Sequence, residues 1–144
     1  MAETQTLFEQ RTSSEELAYL LIEEARLRCK FLLDRIYETD ADPDGLSLTG
    51  LYGDLGIAGY YASARLEPGR REELLAQAHA RCDRQADGAE GSVRVLADVT
   101  AAATRTVERS LSVTGPLDHM HLAHIHVMSA CEALDAVFAL STHA

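Results

Sequence analysis

Four histidines, His119, His121, His124 and His126, fall within eight residues in the run DHMHLAHIHVM. Imidazole titrates near neutral pH, ligates metals and relays protons, so this run concentrates chemical capacity. At ~100° per residue on a helix, it divides into two sides. His119 and His126 lie ~20° apart around the axis but roughly 10 Å apart along it. His121 and His124 form an i,i+3 pair on the other side, close enough to share one ion or one ligand. Met128, Glu132 and Asp135 accompany that pair. Upstream, His79 and Cys82 make a second i,i+3 pair, and two such pairs on facing helices would close a tetrahedral zinc site. No complete cofactor motif is present, and the Glu-x-x-His pairs of di-iron bundles are missing. A solvated or interfacial histidine face is therefore the simpler expectation, with no cofactor.

A second constellation sits near the start. From Leu17 to Ile36 the apolar residues Leu20, Leu21, Ile22, Ala25, Leu27, Cys29, Phe31, Leu32 and Leu33 sweep an arc of about 240°, wider than the stripe of a surface helix. Glu16, Tyr19, Glu23, Arg26, Lys30 and Asp34 fall on the remaining face. Yet Glu24, Arg28 and Arg35 project into the apolar arc, with Glu24 and Arg28 spaced i,i+4 in the favourable order. A buried charge costs several kcal/mol unless paired, so these three require partners. Two outcomes follow: a structural ion pair, or a polar cavity with Glu24 as base or ligand and Arg28 as anion clamp.

In TGLYGDLGIAGYYASARL, Gly50, Gly53, Gly56 and Gly59 recur at every third position. Each glycine inside a helix costs up to about 1 kcal/mol against alanine, so something must compensate. Close backbone packing is one compensation. The other is a ligand site kept open beside Tyr52, Tyr60 and Tyr61; a dimer seam would use the same exposed patch. The segment has neither lysine nor preceding strand, which excludes a phosphate loop. GLYGDLGIAG resembles the glycine-rich helical segments of lanthipeptide cyclases over under a tenth of the chain. The zinc-ligand motifs of those enzymes are absent, so no activity is carried over.

Asp40-Ala-Asp42-Pro-Asp44-Gly45 matches the opening of an EF-hand calcium loop. At position twelve of that loop stands Leu51 instead of the bidentate glutamate, so an acidic interhelical linker is expected. Cys29, Cys82 and Cys131 are odd in number and form no C-x-x-C pair, which reads as small buried residues rather than a disulfide framework.

The elements that must position these groups are helical. Residues 1–12 are polar and expected to fray. A first helix is expected from the Ser13–Ser14 cap, with Glu16 completing a capping box, to about Glu38. A second runs through about Leu66, stopped by Glu67-Pro68-Gly69, and a third spans about Arg70 to Ala86. Ser92 caps a fourth, with Val95, Leu96, Val99, Ala103 and Val107 at helical spacing. The fifth starts at Thr114-Gly115-Pro116 and reaches about Ser141, with Met120, Val127, Leu134, Val137 and Phe138 on its apolar face. Nothing alternates with period two. The expected fold is all-α, one domain over residues 1–144: an antiparallel bundle of four to five helices, four layers if the third and fourth share one broken axis. The first and last helices are expected to be neighbours.

Composition narrows the function. A net charge of −10 disfavours nucleic acid and anionic membrane as partners. No apolar run approaches the about 18 residues of a membrane span, and no signal-peptide pattern opens the chain, so a cytoplasmic location is expected. Twelve arginines to one lysine, with abundant alanine, is the signature of a GC-rich bacterial gene. The leading expectation is a small acidic binding or accessory protein acting through a helix face on a protein partner or its own copy. The alternative is a small-molecule enzyme or ligand binder whose polar pocket gathers Glu24, Arg28, Arg35 and Tyr60 with one or more of His79, His119, His121, His124 and His126.

Overall fold

The computed structural model describes the backbone of residues 2–39, 45–84, 92–111 and 118–142, and side chains within 14–34, 49–82, 94–111 and 118–135. Five helices follow one another: α1 (Ala2–Thr39), α2 (Gly45–Ala62), α3 (Pro68–Arg84), α4 (Ser92–Arg109) and α5 (His119–Thr142). No strand occurs among the described residues. The all-α bundle expected from the periodicity is the observed fold.

Four helices close a ring in the order α1, α2, α5, α4, each packed on the next. Glu23 meets Gly59 and Arg26 meets Tyr52; Asp54 meets Ser129 and Tyr61 meets His126; Thr104 meets Cys131 and Glu108 meets His124; Ala18 clusters with Val107 and Cys29 with Leu96, so every neighbouring pair in the ring is antiparallel. The fifth, α3, lies outside the ring against α1 and parallel to it: Arg70 pairs with Glu16 and Arg81 with Glu24. The first helix thus contacts three others, and this explains its apolar arc. Residues 18–25 are buried all round because α2, α3 and α4 approach from different sides. By contrast, among its described residues α3 buries only the single stripe Leu74 and Ala78.

The expectation that α1 and α5 are neighbours is corrected. They stand diagonally across the ring, and His119 Nε2 at the start of α5 lies 3.8 Å from Glu15 Oε2. The core is two stacked clusters, one around Ile22, Met120 and Val127 and one around Leu51, Leu55 and Leu96, both touched by Val99. Thr100, Thr104 and Thr106 are buried on α4 because each hydroxyl returns its hydrogen bond to the carbonyl four residues back, at 2.7–2.9 Å.

Several boundaries differ from the sequence expectation. No glycine or proline interrupts residues 2–39, so α1 continues upstream of Ser13 to Ala2. The second helix ends at Ala62, not Leu66, and passes into a turn in which Leu66 N–H donates to Ser63 O at 3.0 Å. Pro68, expected to stop a helix, starts one: Arg71 N–H donates to Glu67 O at 2.9 Å, leaving Pro68 at the first helical position, where its missing N–H costs nothing. Asp118 rather than Pro116 precedes α5. Its carbonyl accepts Leu122 N–H at 3.1 Å and its carboxylate accepts His119 N–H at 2.8 Å. The Asp40–Asp44 stretch of the calcium-loop reading lies outside the described residues.

No helix among the described residues is long and apolar enough to cross a membrane.

Candidate functional site

The inward charges of α1 are buried and paired. Glu24, 2% exposed, accepts a hydrogen bond from Arg28 Nε at 3.1 Å and lies 2.6 Å from Arg81 Nε of α3. Arg28 also reaches the Arg81 carbonyl at 3.5 Å, and the Cys82 thiol donates to Glu24 O at 3.7 Å. These groups bolt α3 to α1. None of them lines the groove described below, so that groove does not gather Glu24 or Arg28 with Tyr60. The Arg35 side chain lies outside the described residues.

The histidines are dispersed. His119 is the most buried, wedged between Asp118 and Glu15. Its Nδ1 is 2.7 Å from Asp118 Oδ1, which fixes the proton on that nitrogen, because the carboxylate can only accept. His126 lies between α5 and α2, its ring stacked on Tyr61 at 6.0 Å and its Nδ1 3.4 Å from Asp54, whose other oxygen accepts Ser129 Oγ–H at 2.8 Å. His124 faces Glu108 of α4 at 3.4 Å, and His121 is half-buried. His79 is exposed on α3 and Cys82 half-buried beside Glu24. Among the described residues no three His, Cys, Asp or Glu side chains converge to hold a metal ion, so His79–Cys82 and His121–His124 do not close a common site.

Asp118 carries a pH dependence. Burial alone would raise its carboxyl, but hydrogen bonds and charge from His119, with Arg65 at 3.3 Å, hold it below the ordinary 3.8. A lowered folded value contributes stability in full above 3.8, lost as pH falls through that lower folded value. In urea melts from about pH 5 to about pH 2, the stability gap between wild type and Asp118→Asn should shrink as acid is added. Parallel pH profiles would refute the linkage.

Burial pushes the Cys29 thiol up to about 12, which keeps it protonated and inert in the lower core cluster. Cys29 fits the expected small buried residue; Cys82 and Cys131 are only half-buried.

Among the described residues a groove lies on the other side of α1, between α1 and α2, with a volume of about 610 Å³. Tyr19, Glu23 and Arg26, assigned by the helical projection to the polar outer face, form its α1 wall. Tyr19 and Glu23 are buried, whereas Phe31, placed in the apolar arc, is 47% exposed. Arg26 donates to Glu23 Oε2 from Nε at 2.7 Å and to the Tyr52 hydroxyl from Nη1 at 3.1 Å, with its guanidinium 5.8 Å from the Tyr52 ring centroid. Burial alone would lower the Arg26 value, but Glu23 and Tyr52 together raise it above the ordinary one, so it stays charged. The Tyr19 hydroxyl is pushed up by burial and by Glu23, and remains a donor.

The glycine row forms the α2 wall, and its members have different reasons. A Cβ on Gly59 would stand 2.6 Å from Glu23 Oε1, so any larger residue there must displace the Glu23 carboxylate from its place beside Arg26. A Cβ on Gly53 meets nothing within 4 Å. Packing does not explain that position, and its missing side chain leaves the groove open. Tyr60 and Tyr61 continue the wall in an edge-to-face pair at 5.4 Å, and Arg71 of α3 stands at the rim. The signal for this site was the coincidence of the glycine row with three tyrosines; the tyrosine, glutamate and arginine of α1 gave none.

Compared with protein-family models, curated proteins and solved structures, the chain matches none of them.

Proposed function

We propose that this chain is a small-molecule-binding helical bundle whose ligand lies in the groove between α1 and α2. The observation that carries this reading is the groove itself: a volume of about 610 Å³ walled by four tyrosines and by glycines that packing does not account for. That size falls in the range of small-molecule sites, and aromatic walls with a few fixed polar groups are their usual lining. Binding rather than acid–base catalysis fits the chemistry. The Glu23 carboxylate is tied to Arg26, and no histidine among the described residues lines the groove to exchange protons with a substrate.

Ligand-detected NMR with a panel of aromatic fragments tests this reading. Gly53 lines the groove and a Cβ there meets nothing within 4 Å, so Gly53→Trp should place its ring in the groove. Fragment signals should vanish in that variant and persist in Ile125→Asp on the far helix. Signals unchanged by Gly53→Trp would sink the proposal.

A second reading, an accessory protein acting through a helix face, is favoured by α5. Ile125 and Met128 are 58% and 41% exposed on its outer side, beside His121. Light scattering across protein concentration reads self-association there, which Ile125→Asp should abolish.

A further inference from the structure

We infer that the ligand of this groove is an organic anion with a planar aromatic body, its acidic group held by Arg71. This deepens the proposed function and rests on the groove being the site.

The charges on the walls decide the sign. Glu23 and Arg26 cancel each other: the guanidinium gives two contacts to Glu23 Oε2, at 2.7 and 2.6 Å, and a third to Tyr52. Arg71 is different. It lines the same groove, its charge acts on Tyr19 across the space, and it has no ion pair among the described residues. Its neighbour Arg70 takes up Glu16 and Glu73 instead, both at 2.8 Å. The groove therefore holds one uncancelled positive charge, on a fork suited to a carboxylate or sulfonate.

The walls decide the shape. Gly53 and Gly56 present backbone without side chains between the Tyr52 and Tyr60 rings, leaving a flat strip. Tyr60 is 72% exposed and Ile57 also lies open beside it, so apolar surface at the mouth awaits a body to cover it. A ring system lying on the strip meets tyrosine at both ends and brings a substituent to the rim where Arg71 stands. The net charge of −10 repels anions at long range, so selectivity comes from contact with Arg71 rather than from steering.

The test uses two fluorescent probes with the same rings: anilinonaphthalene sulfonate, an anion, and phenylnaphthylamine, its uncharged parent. Each is titrated into wild type, Arg71→Ala and Gly53→Trp, with circular dichroism to confirm folding. Wild type should bind the sulfonate about tenfold more tightly than the parent, the scale of one charge-assisted hydrogen bond. Arg71→Ala should erase that ratio while leaving the parent's affinity unchanged. Equal affinities in wild type, with both probes expelled by Gly53→Trp, would overturn the anion inference and leave the groove standing. Probe binding that survives Gly53→Trp would overturn the groove itself.

Discussion

Replacing Glu24 with alanine should destabilise the protein by about 3 kcal/mol in urea melts, the largest loss expected from any single charged side chain. Glu24 is 2% exposed and is the shared acceptor of Arg28 and Arg81. Its removal takes the carboxylate away from Arg28, whose side chain is only 10% exposed, while Arg81, nearly half exposed, turns to water. The cost is the desolvated partner, not the worth of the bond. The double variant Glu24→Leu with Arg28→Leu should therefore recover most of the loss, because apolar replacement of a buried pair is often neutral or better. A double variant as unstable as Glu24→Ala would show that the pair itself supplies the stability. Binding to the groove should survive in both, since neither residue lines it.

Leu96→Ala is the second large effect, again about 3 kcal/mol, seen as a melting temperature roughly 10 °C lower. Leu96 is fully buried in the lower cluster with Leu51, Leu55, Cys29 and Ala130, so it meets α1, α2 and α5 from α4. Three of the four ring helices converge on it, and few of its neighbours can collapse into the space left behind. A loss below about 1 kcal/mol would mean that the ring repacks, and that the cluster is not the joint it appears in outline.

Much of the fold was legible because helices announce themselves one at a time. Apolar spacing marked five segments, and the all-round apolarity of Leu17 to Ile36 marked the helix that others surround. The inward placement and pairing of Glu24 and Arg28 followed from the same projection. What a single helix does not encode is which neighbour takes which face. Tyr19, Glu23 and Arg26 read as an outer face because they are polar, yet α2 arrives there and its glycines accept them at close range. The histidine run misled for a related reason: its residues address α1, α2 and α4 separately, so sequence density did not become spatial density. Chain order likewise says nothing about the diagonal relation of α1 and α5.

The outlying position of α3 makes it the detachable piece of the molecule. To swing free it would give up two guanidinium clasps, Arg70 to Glu16 and Arg81 to Glu24, the contacts of Arg28 with the Arg81 carbonyl and of Cys82 with the Glu24 carbonyl, and the short stripe of Leu74 and Ala78. Ionic strength weakens the exposed clasp, and the cluster around Leu51, Leu55 and Leu96 is built from the ring helices alone, so it survives when α3 departs. Arg71 would leave with it, so salt and heat should strip the groove of its cation well before the ring melts.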